Sequence, residues 1–165
     1  MVSISQKYLM KEEYKEGLFV GYRYADLSPK ARKALTGVDN KMKPLFAFGH
    51  GLSYTTFSYG DAQVSRDKIV IPVTNTGSRD GDEVVQLYVN RPSDAEGPVK
   101  TLRGFKRVNI PAGQTVQVEF PLNDETFTWW DKYTNTMLAL SGEFKLLYGG
   151  TSDSDFLKNV SVVRP

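Results

Sequence analysis

From about Asp61 to the C-terminus, hydrophobic and polar residues alternate in short runs that are separated by turn residues. The clearest run is Glu83–Asn90, in which every second residue is aliphatic and shares one face: Val85, Leu87 and Val89. Alternation with a period of two is the pattern of a β-strand that turns one face toward a core. We therefore predict a strand here with these three side chains buried.

The same alternation, or a β-branched run between turns, predicts six further strands. They cover residues 68–74, 101–108, 115–120, 137–140, 143–148 and 160–163. Pro72 lies inside the first of them and has no amide hydrogen to donate, so it should stand at an edge or an irregularity of its sheet. About seven short antiparallel strands in roughly 100 residues are typical of an all-β, immunoglobulin-like sandwich.

The first 60 residues have a different pattern, and we treat 1–60 as an irregular extension to a domain at 61–165. Its one apolar segment, Leu18–Tyr22, is expected to form a strand with few contacts to the sandwich. Such a strand has unpaired edges and could support self-association. Ser28, Pro29 and Gly37 stand where a cap, a first turn and a stop would be, which predicts a short helix over 27–37. Ten of the 20 aromatic residues precede position 61, which indicates a packed interface.

Composition narrows the possible chemistry. The chain has 165 residues and a formal net charge of +2, which is too small to indicate a nucleic-acid partner. It has no cysteine, which excludes disulfides and thiolate metal sites. No apolar run approaches the roughly 20 residues of a membrane span, and we predict neither a membrane partner nor a metal or other cofactor. The start lacks the charged-then-apolar order of a signal peptide, so either the protein is not exported or Met1 is not the natural start.

The most informative motif is residues 44–57, with the sequence PLFAFGHGLSYTTF. It resembles the P-x-F-P-F-G-H-G-L-S-Y-T-x-F signature of family 3 glycoside hydrolases, which links their α/β-sandwich domain to a fibronectin type III-like domain. Residues 14–24 resemble the last strand region of that α/β domain, and motifs at 73–77, 81–88 and 102–105 recur in the terminal domain in the same order. Two features depart from the family: Ala47 replaces a proline, and residues 26–43 are longer than the usual connector.

This resemblance implies a C-terminal part of a β-glucosidase-like enzyme: the end of the α/β domain, a linker, and a fibronectin type III-like β-sandwich. Family members are often periplasmic or secreted. They use two carboxyl groups, a nucleophile and an acid/base, and both lie in domains upstream of Tyr14. Neither motif occurs in this chain, so no catalytic residue is expected and the chain alone should be inactive. The linker residues 43–59 should lie against the sandwich, held by their aromatics, with Phe46, Phe48 and Tyr54 between domains.

Four residues are candidates for contact with carbohydrate: Trp129, Trp130, Tyr133 and His50. Pyranose rings stack on flat aromatic faces, and successive residues of a strand point to opposite sides, so one tryptophan should be buried and the other exposed. Core or interdomain packing is the alternative for this pair. His50 stands between two glycines; it either secures a tight turn by hydrogen bonds or contacts substrate at the rim of a cleft.

Three functions follow from these observations. The leading hypothesis is a non-catalytic accessory domain that braces the catalytic domains of a β-glucosidase-like or β-xylosidase-like parent, which would be its partners. The second is a carbohydrate-binding module that brings the parent to polysaccharide. The third is one piece of a split β-glucosidase. The glycoside that the parent cleaves is not determined by these residues.

Overall fold

The computed structural model describes residue 17 and residues 19–27, 29–36, 44–95, 97–131 and 133–165. Two helices come first, Tyr22–Ala25 (α1) and Pro29–Thr36 (α2). The strands are Phe57–Tyr59 (β1), Gln63–Val64 (β2), Lys68–Asn75 (β3), Gly81–Asn90 (β4), Thr101–Ile110 (β5), Thr115–Pro121 (β6), Thr128–Asp131 (β7), Thr136–Ala139 (β8), Gly142–Gly149 (β9) and Lys158–Arg164 (β10). Short 3₁₀-helices lie at Glu125–Phe127 and Ser154–Phe156.

The strands form two four-stranded antiparallel sheets and a separate hairpin. In the first sheet, β3 pairs with β6 on one side and with β1 and β2 on the other. The second sheet has the order β10-β9-β4-β5, and β7 pairs with β8 in the hairpin. The predicted all-β antiparallel sandwich is confirmed. Because β1 covers residues 57–59 and belongs to the first sheet, the sandwich begins slightly before residue 61.

The core lies between the two sheets and follows the alternation in the sequence. Val85, Leu87 and Val89 of β4 are all buried, as predicted. They belong to one cluster with alternate residues of β3, β6 and β9: Ile69, Ile71, Val73, Val118, Phe120, Phe144, Leu146 and Tyr148. Full burial of one such side chain contributes roughly 1.5–3 kcal/mol, so this cluster supplies most of the apolar stabilisation.

Pro72 lies at an irregularity, but not at an edge. It belongs to β3, which has neighbours on both sides, and it faces the break between β1 and β2. The backbone of Gly60 crosses this break and donates a hydrogen bond to the Pro72 carbonyl at 2.8 Å. A Cβ atom on Gly60 would stand 2.6 Å from Pro72 Cγ, so the close approach requires glycine.

The predicted strand at Leu18–Tyr22 is wrong over its described residues, and Leu18 itself lies outside them. Phe19 and Val20 are not in a strand, and Gly21 has a φ of 64°, which an extended strand does not tolerate. Tyr22 then begins α1. The strand edge that we invoked for self-association is therefore absent from the described part of this segment.

The predicted short helix over 27–37 is confirmed as α2, Pro29–Thr36. Its expected cap and stop, Ser28 and Gly37, lie outside the described residues. Arg32 is buried and donates a hydrogen bond to the Leu27 carbonyl at 3.0 Å, which ties the helix to the segment before it. Among the described helices, none has the length and hydropathy needed to cross a membrane.

Candidate functional site

The segment around α1 covers the outer face of the second sheet. The Tyr22 hydroxyl accepts a hydrogen bond from the Leu102 amide of β5 at 2.7 Å. Its ring packs edge-to-face on Tyr88 of β4, with 5.7 Å between ring centroids, and lies 5.6 Å from the ring of Phe48. Tyr88 is fully buried as a result, although it points away from the sandwich core. The expectation that this segment makes few contacts with the sandwich is therefore wrong.

A buried ion pair joins the same segment to the sandwich. Lys100 has no exposed surface, and its ammonium group bonds to the carboxylate of Asp26. The ammonium also donates to Ser154 Oγ at 3.0 Å. A lysine is almost never fully buried unless it is paired, so this contact fixes the position of the chain directly after α1.

The linker is fixed by a glycine turn. The His50 amide donates to the Ala47 carbonyl at 2.9 Å, and the Phe48 carbonyl accepts from the Ser152 amide at 2.7 Å. Gly49 has a φ of 83°, and a Cβ atom there would lie 2.2 Å from Gln86 Nε2. Only glycine fits this backbone conformation and this contact, so the linker lies directly against β4.

The next anchor of the linker is a buried polar group, Asn75. Its Oδ1 accepts from Thr55 Oγ1 at 2.5 Å and from the Gly77 amide at 3.0 Å. Its Nδ2 donates to the carbonyls of Arg79 at 2.7 Å and Ile110 at 2.8 Å. One side chain thus joins the linker, the turn after β3 and the end of β5, with all its hydrogen-bonding capacity used.

The linker exposes five large apolar side chains within ten residues. We call these the linker face: Leu45, Phe46, Phe48, Leu52 and Tyr54. Leu52 is 98% exposed and Tyr54 is 92% exposed. The linker lies against the sandwich as expected, and two of its aromatics, Phe57 and Tyr59, pack on the core. Hydrogen bonds hold the part before them. That Phe46, Phe48 and Tyr54 pack between domains stays a prediction.

His50 belongs to the linker and not to a polar site. Its side chain is exposed, and its ring lies 4.9 Å from that of Phe46. The hydrogen bond that closes the turn comes from its backbone amide. His50 does not line the pocket that contains the tryptophans, so the four predicted carbohydrate-contact residues do not form one site.

The two tryptophans point to opposite sides of β7, as the strand period predicts. Trp129 is buried and its ring centroid lies 5.6 Å from that of Phe144. The Arg103 guanidinium lies 4.7 Å from the centre of the Trp129 ring and donates a hydrogen bond to the Thr128 carbonyl. Trp130 is 52% exposed on the other side.

An open pocket of about 460 Å³ brings Trp129, Trp130 and Tyr133 together. Its charged lining residues come from four parts of the chain: Arg23 in α1, Arg91 and Asp94 after β4, Arg103 in β5, and Asp131 in β7. Burial, and next the positive charge of Arg23, lower the pKa of Arg103. We did not predict these arginines, because they are far apart in the sequence and share no local motif.

Both carboxylates of this pocket are used by neighbouring hydrogen-bond donors. Asp94 Oδ1 accepts from the Gly97 amide at 2.8 Å. Asp131 accepts from the Tyr133 amide and from Thr134 Oγ1, each at 2.9 Å. The Tyr133 amide and then the Thr134 hydroxyl lower the pKa of Asp131. The pocket therefore combines exposed aromatic surface with guanidinium donors.

Residues 83–152 match the fibronectin type III-like domain family. The chain is 44% identical over 124 residues to a xylan 1,4-beta-xylosidase of Xylanibacter ruminicola, a match that covers 72% of this chain and 14% of that protein. It is 39% identical over 155 residues to thermostable beta-glucosidase B of Acetivibrio thermocellus, covering 88% of this chain and 19% of that protein.

Solved structures agree with these relatives. The beta-glucosidase DesR of Streptomyces venezuelae, in complex with D-glucose, superposes with a TM-score of 0.75 and 32% identity over 92% of this chain and 19% of that one. The GH3 beta-glucosidase of Bifidobacterium adolescentis gives a TM-score of 0.73 and 30% identity over 98% and 23% of the two chains. This chain carries the fibronectin type III-like domain of family 3 β-glucosidase-like proteins.

The carboxylates of this fibronectin type III-like domain mostly serve its turns and strands. Asp80 Oδ1 accepts from the Ala112 amide at 2.8 Å. Asp82 accepts from Asn109 and Arg107, and the amide of Asn109, followed by the guanidinium of Arg107, lowers its pKa. No group of three or more His, Asp or Glu residues that could hold a metal ion occurs in the described residues.

The domain also has a larger open cavity, of about 840 Å³. It lies among the ends of β2, β6 and β10, and Arg164 there pairs with Asp124 at 2.5 Å and packs over the ring of Phe127. Neither the predicted site residues nor the linker face line this cavity, so its size alone does not make it the site.

Proposed function

We propose that this chain is a non-catalytic terminal domain of a family 3 β-glycosidase and that it braces the catalytic domains of that enzyme. The linker face carries the proposal. Five large apolar side chains of the linker are exposed to solvent. The Gly49 turn and the hydrogen bond between Thr55 and Asn75 hold the linker against the sandwich. Exposed apolar surface of this kind marks a site of interaction.

The partner in this proposal is the rest of the parent enzyme. The chain corresponds to 14% of the xylosidase and 19% of the β-glucosidase B that it resembles, so most of such a protein is available to cover the linker face. The surface is held in place before binding, which limits the entropy lost on docking. The parent would act on β-glucosides or β-xylosides, as the names of those relatives indicate.

The non-catalytic part of the proposal follows from the carboxylates. Hydrolysis with retention requires a nucleophile and an acid/base at opposite sides of one glycosidic bond. The carboxylates of the pocket and of the turns accept hydrogen bonds from backbone amides, hydroxyls or basic side chains. The chain alone should therefore release no product from aryl β-glucosides or aryl β-xylosides.

The two parts are tested separately. The purified chain is incubated with both aryl glycosides; turnover that survives repurification and is lost on mutation of one of its carboxylates contradicts the non-catalytic role.

The chain is then mixed with β-glucosidase B from which the matching segment has been removed, and association is measured by analytical ultracentrifugation. We expect the wild-type chain to form a one-to-one complex, and the double variant Leu52→Ser with Tyr54→Ser to bind more weakly. If neither the wild-type chain nor the variant forms a complex, the bracing role is contradicted.

A further inference from the structure

The pocket beside β7 has the components of a site for an acidic sugar. Trp130 and Tyr133 present exposed aromatic rings at its wall, and such rings bind the apolar face of a pyranose. Its volume of about 460 Å³ is within the roughly 300–1,000 Å³ of ordinary ligand sites. The bracing role makes no use of this pocket, which is separate from the linker face.

The charged groups of the pocket favour a carboxylate over a neutral hydroxyl. Three guanidinium groups line it, from Arg23, Arg91 and Arg103. Its two carboxylates already accept hydrogen bonds from nearby amides and a hydroxyl. In the described part of the chain, the guanidinium of Arg91 forms no ion pair. A guanidinium binds a carboxylate through two parallel hydrogen bonds, a geometry that no neutral sugar hydroxyl reproduces.

One of these arginines is held in position before any ligand binds. Arg103 stacks on the ring of Trp129, with 4.7 Å between the guanidinium carbon and the ring centre. Its Nη2 donates to the Thr128 carbonyl, whereas its buried Nε has no partner among the described residues.

We propose that this pocket binds a sugar residue that carries a carboxylate, that is, a uronic acid. The pyranose ring stacks on Trp130, and the carboxylate is bound by the arginines. The pocket then acts as a recognition site for acidic glycans. This inference does not rest on the bracing role, and its test uses the chain alone.

Titration calorimetry with two matched disaccharides tests the inference. Cellobiouronic acid carries a carboxylate at the position where cellobiose has a hydroxymethyl group. We expect the acidic disaccharide to bind at least about tenfold more tightly than cellobiose, and its affinity to fall with added salt because ion pairs are screened. Equal affinity for the two sugars, or no saturable binding of the acid at 10 mM, overturns the proposal.

Variants locate the site. Arg91→Gln should lower the affinity for the acidic sugar about tenfold. Arg91→Lys keeps the charge but cannot form the two parallel hydrogen bonds, so it should lower the affinity less. Trp130→Ala should abolish binding, whereas Tyr54→Ala, at an exposed aromatic residue of the linker face, should not change it. Unfolding curves confirm that each variant is folded. Undiminished binding by folded Trp130→Ala or Arg91→Gln overturns the assignment to this pocket.

Discussion

Lys100 and Asp26 form an ion pair in which the lysine side chain is completely buried and the aspartate is 19% exposed. The pair joins residues that are 74 positions apart in the sequence, so it holds the N-terminal segment on the sandwich. Removal of one partner leaves the other charge buried and uncompensated.

We expect Asp26→Ala to lower the free energy of unfolding by roughly 3 kcal/mol, because the buried ammonium of Lys100 loses its counter-charge. Urea denaturation followed by tryptophan fluorescence measures this value. The control is Asp61→Ala, which breaks the ion pair of Lys158 with a 98% exposed aspartate and should have little effect. Equal small effects of both variants would show that the buried pair does not hold the segment.

A second prediction concerns the polar anchor of the linker. Asn75→Ala removes four hydrogen bonds at a fully buried position and leaves the Ile110 carbonyl and the Thr55 hydroxyl without their partner. We expect a loss of roughly 3 kcal/mol, since each stranded buried polar group costs about 1–3 kcal/mol. Thr76→Val, at an exposed threonine pair, is the control. A stability within about 0.5 kcal/mol of the wild type would contradict this role of Asn75.

Two glycines of the linker provide a matched comparison. Gly49→Ala places a Cβ atom 2.2 Å from Gln86 Nε2 and 2.8 Å from the Gly150 carbonyl, at a φ of 83°. Gly51→Ala meets no atom within 4 Å. We expect the first variant to cost about 1–3 kcal/mol and the second to be nearly neutral. Thermal unfolding checks both, and equal melting temperatures would mean that the turn is not held against β4.

The loss of folding stability at alkaline pH should depend on Tyr59. Burial and the hydrogen bond to Glu83 raise its pKa well above the ordinary value of 10.0. A raised folded-state pKa stabilises the fold below pH 10, and this stabilisation is lost as the pH rises above 10 because the unfolded chain ionises first. Tyr59→Phe should therefore reduce the loss of stability between pH 9 and 11, and Tyr54→Phe should not. An unchanged pH dependence in Tyr59→Phe contradicts this explanation.

The sandwich could be predicted from the sequence because its strands follow a local rule. The period of two places Val85, Leu87 and Val89 in the core, and the same period sends Trp129 and Trp130 to opposite sides. Turn residues then set the strand limits to within a few positions. None of this requires knowledge of distant contacts.

The parts that could not be predicted depend on distant contacts. The alternation along β4 places Tyr88 on its outward face, yet Tyr22, 66 positions away in the sequence, covers it. The arginines of the pocket beside β7 come from α1, β5 and the loop after β4, and no sequence spacing connects these three residues. The resemblance placed Phe46 and Tyr54 between domains, but no local pattern showed which of the linker aromatics would pack on the sandwich; Phe57 and Tyr59 do so.

The most direct test of the bracing role is the melting temperature of a chimaera. In β-glucosidase B, which is 39% identical over 155 residues, the matching segment is replaced by this chain, and unfolding of the catalytic domains is followed by calorimetry. If the linker face docks on those domains, Leu52→Ser with Tyr54→Ser lowers their melting temperature by about 2 °C or more, whereas Val163→Ser, at an exposed valine of β10, does not. An identical melting temperature in all three chimaeras would contradict the account.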